Sequence, residues 1–127
     1  MKARTTALAT VAMTALLATP ALAQQKIRVG NLMDLTGATS GTGKFTGPGK
    51  ADAMAWINAN GGINGKQVGV ESVDYSYQTQ RGIQLYKKWK DEGAVAILGY
   101  GTNDTEAMVG FIAQDKMPYF SLSFSGH

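Results

Sequence analysis

The stretch "LTGATSGTGKFTG", Leu35 to Gly47, joins an apolar run to an Ala-rich one, and the role of its glycines settles what kind of chain this is. It contains Gly43-Lys44 and has the look of a phosphate-binding loop. A P-loop needs G-x-x-x-x-G-K-[ST]. Anchored on Gly43-Lys44, the first glycine falls on Ala38 and the magnesium-binding hydroxyl falls on Phe45. The dinucleotide pattern G-x-G-x-x-G fails as well, because Gly41 and Gly43 are followed by Thr46 at the third position. What remains is a strand, a turn-rich connection and a helix.

Outward from that junction the chain alternates. Lys26 to Met33 reads as a strand, followed by a polar Gly-rich loop over Asp34–Thr46. Pro48 in a first turn, with Ala51, Met54, Ala55 and Ile57 at helical spacing, predicts a helix. "NGGINGK", Asn60 to Lys66, is dense turn chemistry that ends it. Gln67 to Asp74 alternates as a second strand. Thr79 to Glu92 reads as a second helix with Ile83, Leu85, Tyr86 and Trp89 inward and Gly93 at its end. Ala94 to Leu98 is wholly apolar, as expected of a strand covered on both faces. Asn103 and Glu106 resemble a capping box opening a third helix with Met108, Phe111 and Ile112 on one side. Pro118 to Leu122 begins a fourth strand. The order β-α-β-α-β-α-β with right-handed crossovers predicts an α/β fold, a doubly wound parallel sheet with helices on both faces.

The N-terminus has the layout of a secretory leader. Lys2 and Arg4 precede a modestly apolar run, Pro20 breaks it, and Ala21-Leu22-Ala23 is the small-x-small pattern of a cleavage site. The run from Ala7 to Ala18 falls short of the ~20 residues needed to cross a bilayer. Residues 1–23 are therefore expected to be a cleaved signal peptide, with a mature chain from Gln24. Lys2 and Arg4 are two of twelve basic residues, so the mature chain is nearly balanced against nine acidic ones. No basic stripe remains for nucleic acid. Lys87, Lys88 and Lys90 interleave with Tyr86 and Trp89 as on the wet face of a helix. Cysteine is absent, so there is no thiolate chemistry, no zinc knuckle and no lipid-bearing anchor residue. A freely soluble periplasmic protein without a membrane anchor is expected.

Enzyme signatures are weak. "SLSFSG" lacks the first glycine of a nucleophile elbow, and His127 is the only histidine. Asp34, Asp74 and Asp104 lie at strand or loop ends, where capping and loop hydrogen bonds account for them. No cluster has metal-ligand spacing and no cofactor is called for.

In open α/β sheets ligands sit beyond the C-terminal strand ends. Those ends, Asp34–Thr46, Asp74–Gln78, Gly99–Asn103 and Ser121–Gly126, are rich in Gly, Ser, Thr, Asn and Tyr, residues suited to neutral hydrogen bonding and stacking. "IRVGNLMDLTG", "INANGGINGKQV", "DEGAVAILG" and "KMPYFSLSFSG" resemble, in order and spacing, the leucine/isoleucine/valine-binding family, the type I solute-binding proteins of ABC importers. The resemblance implies an extracytoplasmic component that captures an amino acid or related small carboxylate and passes it to permease subunits. The alternative within the same fold is a ligand-sensing domain that regulates a receptor or transcription partner.

The resemblance further implies that the loop after the first strand rims the ligand cleft. It places a ligand carboxylate at the start of the third helix, Thr102 and Asn103, and at the run after the fourth strand, Ser123, Phe124 and Ser125. A helix N-terminus favours an anion there without Lys or Arg. Phe124 is bulky where the family has a small residue, and Tyr75, Tyr77 and Tyr100 put rings at strand ends. Either these rings face a larger or aromatic carboxylate, or they edge the core. Family members have two lobes and roughly 300 residues. Residues 24–127 are thus expected to be the N-terminal part of lobe 1, without the second lobe that supplies the acidic partner for a ligand ammonium.

Overall fold

The computed structural model describes residues 25–125; the expected leader, Gly126 and His127 lie outside them. The elements are β1 (Ile27–Met33), α1 (Ser40–Ala59), β2 (Val68–Asp74), α2 (Thr79–Asp91), β3 (Ala96–Leu98), α3 (Thr102–Asp115) and β4 (Tyr119–Phe120). All pairings are parallel and the strand order is β2-β1-β3-β4. The chain leaves β1 toward β2 on one side and reaches β3 on the other. The order therefore reverses between β1 and β3, which is where a doubly wound sheet opens a crevice.

Alternation along β1 sorts the two faces. Val29 joins Val68 and Leu98 in a cluster under Met54 and Ile57 of α1. Leu32 joins Tyr75, Tyr86, Trp89, Ile97 and Met108 in the larger core beneath α2 and α3. Gly30 points the same way as Leu32, and a Cβ there would lie 2.2 Å from the Trp89 ring. Only glycine lets that indole lie flat on the strand. Asn31 is fully buried and donates from Nδ2 to the Gly47 carbonyl at 3.2 Å and the Ser72 hydroxyl at 3.0 Å, tying β1 to α1 and β2.

Both faces of β3 are covered, as the apolar run predicts, although the strand is shorter and Val95 is left exposed. The turn Ile63–Lys66 closes through Asn64 and Gly65, both at positive φ, which is the geometry an Asn-Gly pair favours. Phe111 lies at the rim of the α3 face and not in the core, with the Lys87 ammonium 4.9 Å from its ring. The lysine-rich face of α2 is a solvated surface. Lys88 pairs with Glu71 at 2.6 Å and Lys90 with Asp115 at 2.5 Å.

Two sequence expectations are corrected. The Gly-rich stretch is not a loop up to Thr46, because α1 begins at Ser40 and Pro48 lies inside it. A proline costs a helix one backbone bond, and here it sits on the exposed side. The third helix is not capped by Asn103 and Glu106. Gly101 is its N-cap, and the Gly101 N–H donates to the Asp104 carboxylate at 3.1 Å.

Candidate ligand cleft

Three tight connections build the site, each organised by a carboxylate. Asp34 is fully buried and accepts from the Gly37 and Thr39 amides and from the Thr39 hydroxyl, at 2.6, 2.8 and 2.6 Å. This curls Leu35–Thr39 into a short turn that delivers the chain into α1. Asp74 accepts from Leu35 N, Thr36 Oγ1 and Ser76 N, binding the β2 end to the same turn. Asp104 accepts from the hydroxyls of Tyr75 and Tyr119 and from Gly101 N, fixing the β3–α3 turn. Burial and the Asp104 carboxylate both push the Tyr75 and Tyr119 hydroxyls above their ordinary range, so they remain donors.

The glycines of the opening stretch act in packing. A Cβ on Gly43 would lie 1.8 Å from the Asp34 carbonyl oxygen, and one on Gly47 would lie 2.7 Å from Met33. The helix thus presses its first turns against the end of β1. Its other side carries Thr39, Thr42 and Thr46, which line a cavity of about 480 Å³. Tyr77, Tyr100 and Gly101 form the wall opposite, and Thr102, Leu122, Ser123 and Phe124 complete it. The Tyr77 and Tyr100 rings stand at 90° with centroids 6.1 Å apart. The Tyr100 hydroxyl donates to the Thr39 carbonyl at 3.1 Å, so the two walls are tied together.

Of the residues singled out from sequence, Tyr77, Tyr100, Thr102, Ser123 and Phe124 meet around this cavity. Asn103 is exposed and outside its lining, and Ser125 lines an adjoining groove of about 540 Å³ with Thr105, Ser121 and Ser123. Tyr75 is fully buried and belongs to the core. The run after β4 is internally bonded. Thr102 Oγ1 accepts from Phe124 N at 3.2 Å and from the Ser123 hydroxyl at 3.3 Å. Ser123 Oγ in turn accepts from Ser125 N at 3.1 Å and shares a 2.9 Å bond with Ser125 Oγ.

Sequence reasoning placed the Asp34–Thr46 stretch at the cleft rim but as a loop, so it did not single out the threonine face, and it missed Lys50. The spacing of Thr39, Thr42 and Thr46 is helical, and it would have been visible had the stretch been read as helix. Lys50 Nζ donates to the carbonyls of Leu32 at 2.9 Å, Gly99 at 2.8 Å and Leu98 at 3.4 Å, capping the ends of β1 and β3. Its ammonium also lies 5.8 Å from the Tyr100 ring centroid. Burial pushes its pKa down to about 8, with the Asp104 carboxylate pulling the other way.

The arrangement offers hydroxyls and aromatic rings to the cavity. The three carboxylates already carry protein donors, and among the described residues the cavity wall has no charged side chain. Among the described residues no group of three or more His, Cys, Asp or Glu could hold a metal ion, and no helix is long and apolar enough to cross a membrane.

Comparison with known proteins agrees with this geometry. A model described as periplasmic binding protein matches residues 26–127. An ABC transporter substrate-binding protein of Aeropyrum pernix is similar at 34% identity and a TM-score of 0.74, over 79% of this chain and 27% of that one. A substrate-binding periplasmic protein of Ralstonia solanacearum shares 26% identity at a TM-score of 0.67, over 74% of this chain and 28% of that one. A branched-chain amino acid transporter substrate-binding protein of Streptococcus pneumoniae, solved with isoleucine, has the same fold at 24% identity and a TM-score of 0.74, over 80% of this chain and 30% of that one. No curated protein matches. The chain spans under a third of the length of these three solved structures.

Proposed function

The chain belongs to the periplasmic binding protein family, matched over residues 26–127, and from that premise we propose that it is the extracytoplasmic solute-binding component of an ABC importer, capturing an amino acid or related small carboxylate. The observation that carries this reading is the position of the cavity. It lies at the C-terminal ends of β1 and β3, where the strand order reverses, between the first turns of α1 and α3. Such a crevice, lined by hydroxyls and rings, suits reversible capture of a small molecule. The helix N-termini favour the carboxylate end of a solute.

In this reading residues 24–127 supply the N-terminal part of the first lobe, residues 1–23 are the leader that directs export to the periplasm, and the partners are permease subunits. The protein performs no chemistry on its solute. A thermal-shift screen of the full-length protein against amino acids and small carboxylates tests the reading. At least one should raise the melting temperature, and Thr102→Ala should lessen that rise. Failure of every compound would refute solute capture. Intact-mass measurement on periplasmic extract should show a chain starting at Gln24; a soluble chain retaining Met1 would refute the leader.

A further inference from the structure

Resting on the reading of solute capture, we propose that the solute is a carboxylate with an aromatic body, its ring seated in the corner between Tyr77 and Tyr100 and covered by Phe124. The two tyrosine rings meet edge to face at 90° and 6.1 Å; Tyr100 is a core residue only 5% exposed and Tyr77 is half-buried, so Tyr77 supplies most of the ring surface open to the cavity. Aromatic rings pair best in such offset or perpendicular arrangements, at centroid separations of about 4.5–7 Å. The corner is built in advance. Tyr75 packs behind both rings at 6.1 and 6.3 Å, and the Tyr100 hydroxyl is held by Thr39.

Phe124 supplies the third ring. It is 98% exposed although it borders the cavity. A phenyl group left fully in water forgoes the gain of burial, and an aromatic solute beneath it would recover that gain on both surfaces. Its backbone is meanwhile anchored, since Phe124 N donates to Thr102 Oγ1. The remaining wall is Leu122, Gly101, Ser123 and four threonines, which offer methyl groups and hydroxyls but no charge. At about 480 Å³ the space lies within the ~300–1,000 Å³ of small-molecule sites, leaving room for a ring and a short acid chain.

Calorimetry on the full-length protein with 3-phenylpropanoate, hexanoate and isoleucine tests this assignment. We expect 3-phenylpropanoate to bind at least about tenfold more tightly than the other two. Phe124→Ala should weaken it by roughly tenfold, change hexanoate by less than about threefold, and Phe124→Tyr should retain affinity. Circular dichroism and a thermal melt of the unliganded Phe124→Ala protein check that the variant folds. Equal or tighter binding of hexanoate or isoleucine would overturn the aromatic assignment while leaving solute capture standing. Unchanged 3-phenylpropanoate affinity in Phe124→Ala would overturn it as well. Binding of none of the three would also overturn it, and the wider thermal-shift screen would then decide solute capture separately.

Discussion

Lys50 Nζ on α1 donates to the carbonyl oxygen of Gly99 at 2.8 Å, just where β3 gives way to the cavity wall. With Leu32 and Leu98 also accepting, one ammonium closes the ends of the two strands between which the sheet order reverses. A half-buried cation is held there by backbone dipoles, and the arrangement sets a pH signature.

Burial lowers the Lys50 pKa from its ordinary 10.5 to about 8. Between those values the unfolded chain binds more protons than the folded one, so stability rises with pH. Urea unfolding at pH 7.5 and 9.5 should show a gain of roughly 1–2 kcal/mol, discounted for partial exposure. Lys50→Met should abolish the slope. Above about pH 10 the trend should reverse, because Tyr86 is pushed up to about 12 by burial and Asp115, and Tyr75 and Tyr119 are also raised.

Gly41 and Gly43 are two residues apart in the same helix and should respond oppositely to alanine. A Cβ on Gly41 meets nothing within 4 Å, so Gly41→Ala should stabilise by roughly 0.5–1 kcal/mol through helix propensity. A Cβ on Gly43 would collide with the Asp34 carbonyl, and Gly43→Ala should destabilise by about 1–3 kcal/mol. Thermal melts of the two variants moving in the same direction would refute the packing role.

Asp104→Asn should cost about 2–4 kcal/mol in denaturant midpoint analysis, because Tyr75, Tyr119 and Gly101 all donate to the carboxylate. The amide keeps one acceptor and turns a donor toward the others. A loss under about 0.5 kcal/mol would show that the buried tyrosine hydroxyls have another outlet.

Thr102 and Ser125 separate the cavity from its neighbour. With a solute found by screening, Thr102→Ala should weaken binding roughly tenfold, since it both lines the cavity and holds Phe124 N. Ser125→Ala should change affinity by less than about threefold, because Ser125 lines the adjoining groove. The reverse order would move the solute into that groove.

The sheet was legible because strands advertise themselves in pairs of residues. Val29 and Leu32 face opposite helices, and Asn64-Gly65 marks its turn by backbone chemistry. The start of α1 was not legible by hydrophobicity. Its inward stripe is Gly43, Gly47, Lys50, Met54 and Ile57, spaced four, three, four and three, and its first three members are two glycines and a lysine. Close packing selected them, and an apolar template passes over them in favour of Pro48. The cavity followed the same logic. Rings and hydroxyls at strand ends could be read as site residues, but Thr42 and Thr46 became wall residues only once their segment was helical. The Asn103–Glu106 spacing misled because a buried Asp104 did the capping one residue away.

The bonds among Thr102, Ser123, Phe124 N and Ser125 carry a thermodynamic consequence. A carboxylate that recruits these donors must first break the bonds they already make, so capture there is an exchange and not a gain. Heat released by the new bonds is largely offset by heat absorbed in losing the old ones. Affinity then draws mainly on apolar surface leaving water, with Thr102 holding Phe124 in place, and its measurable mark is a negative heat-capacity change that grows with the size of the solute's apolar part.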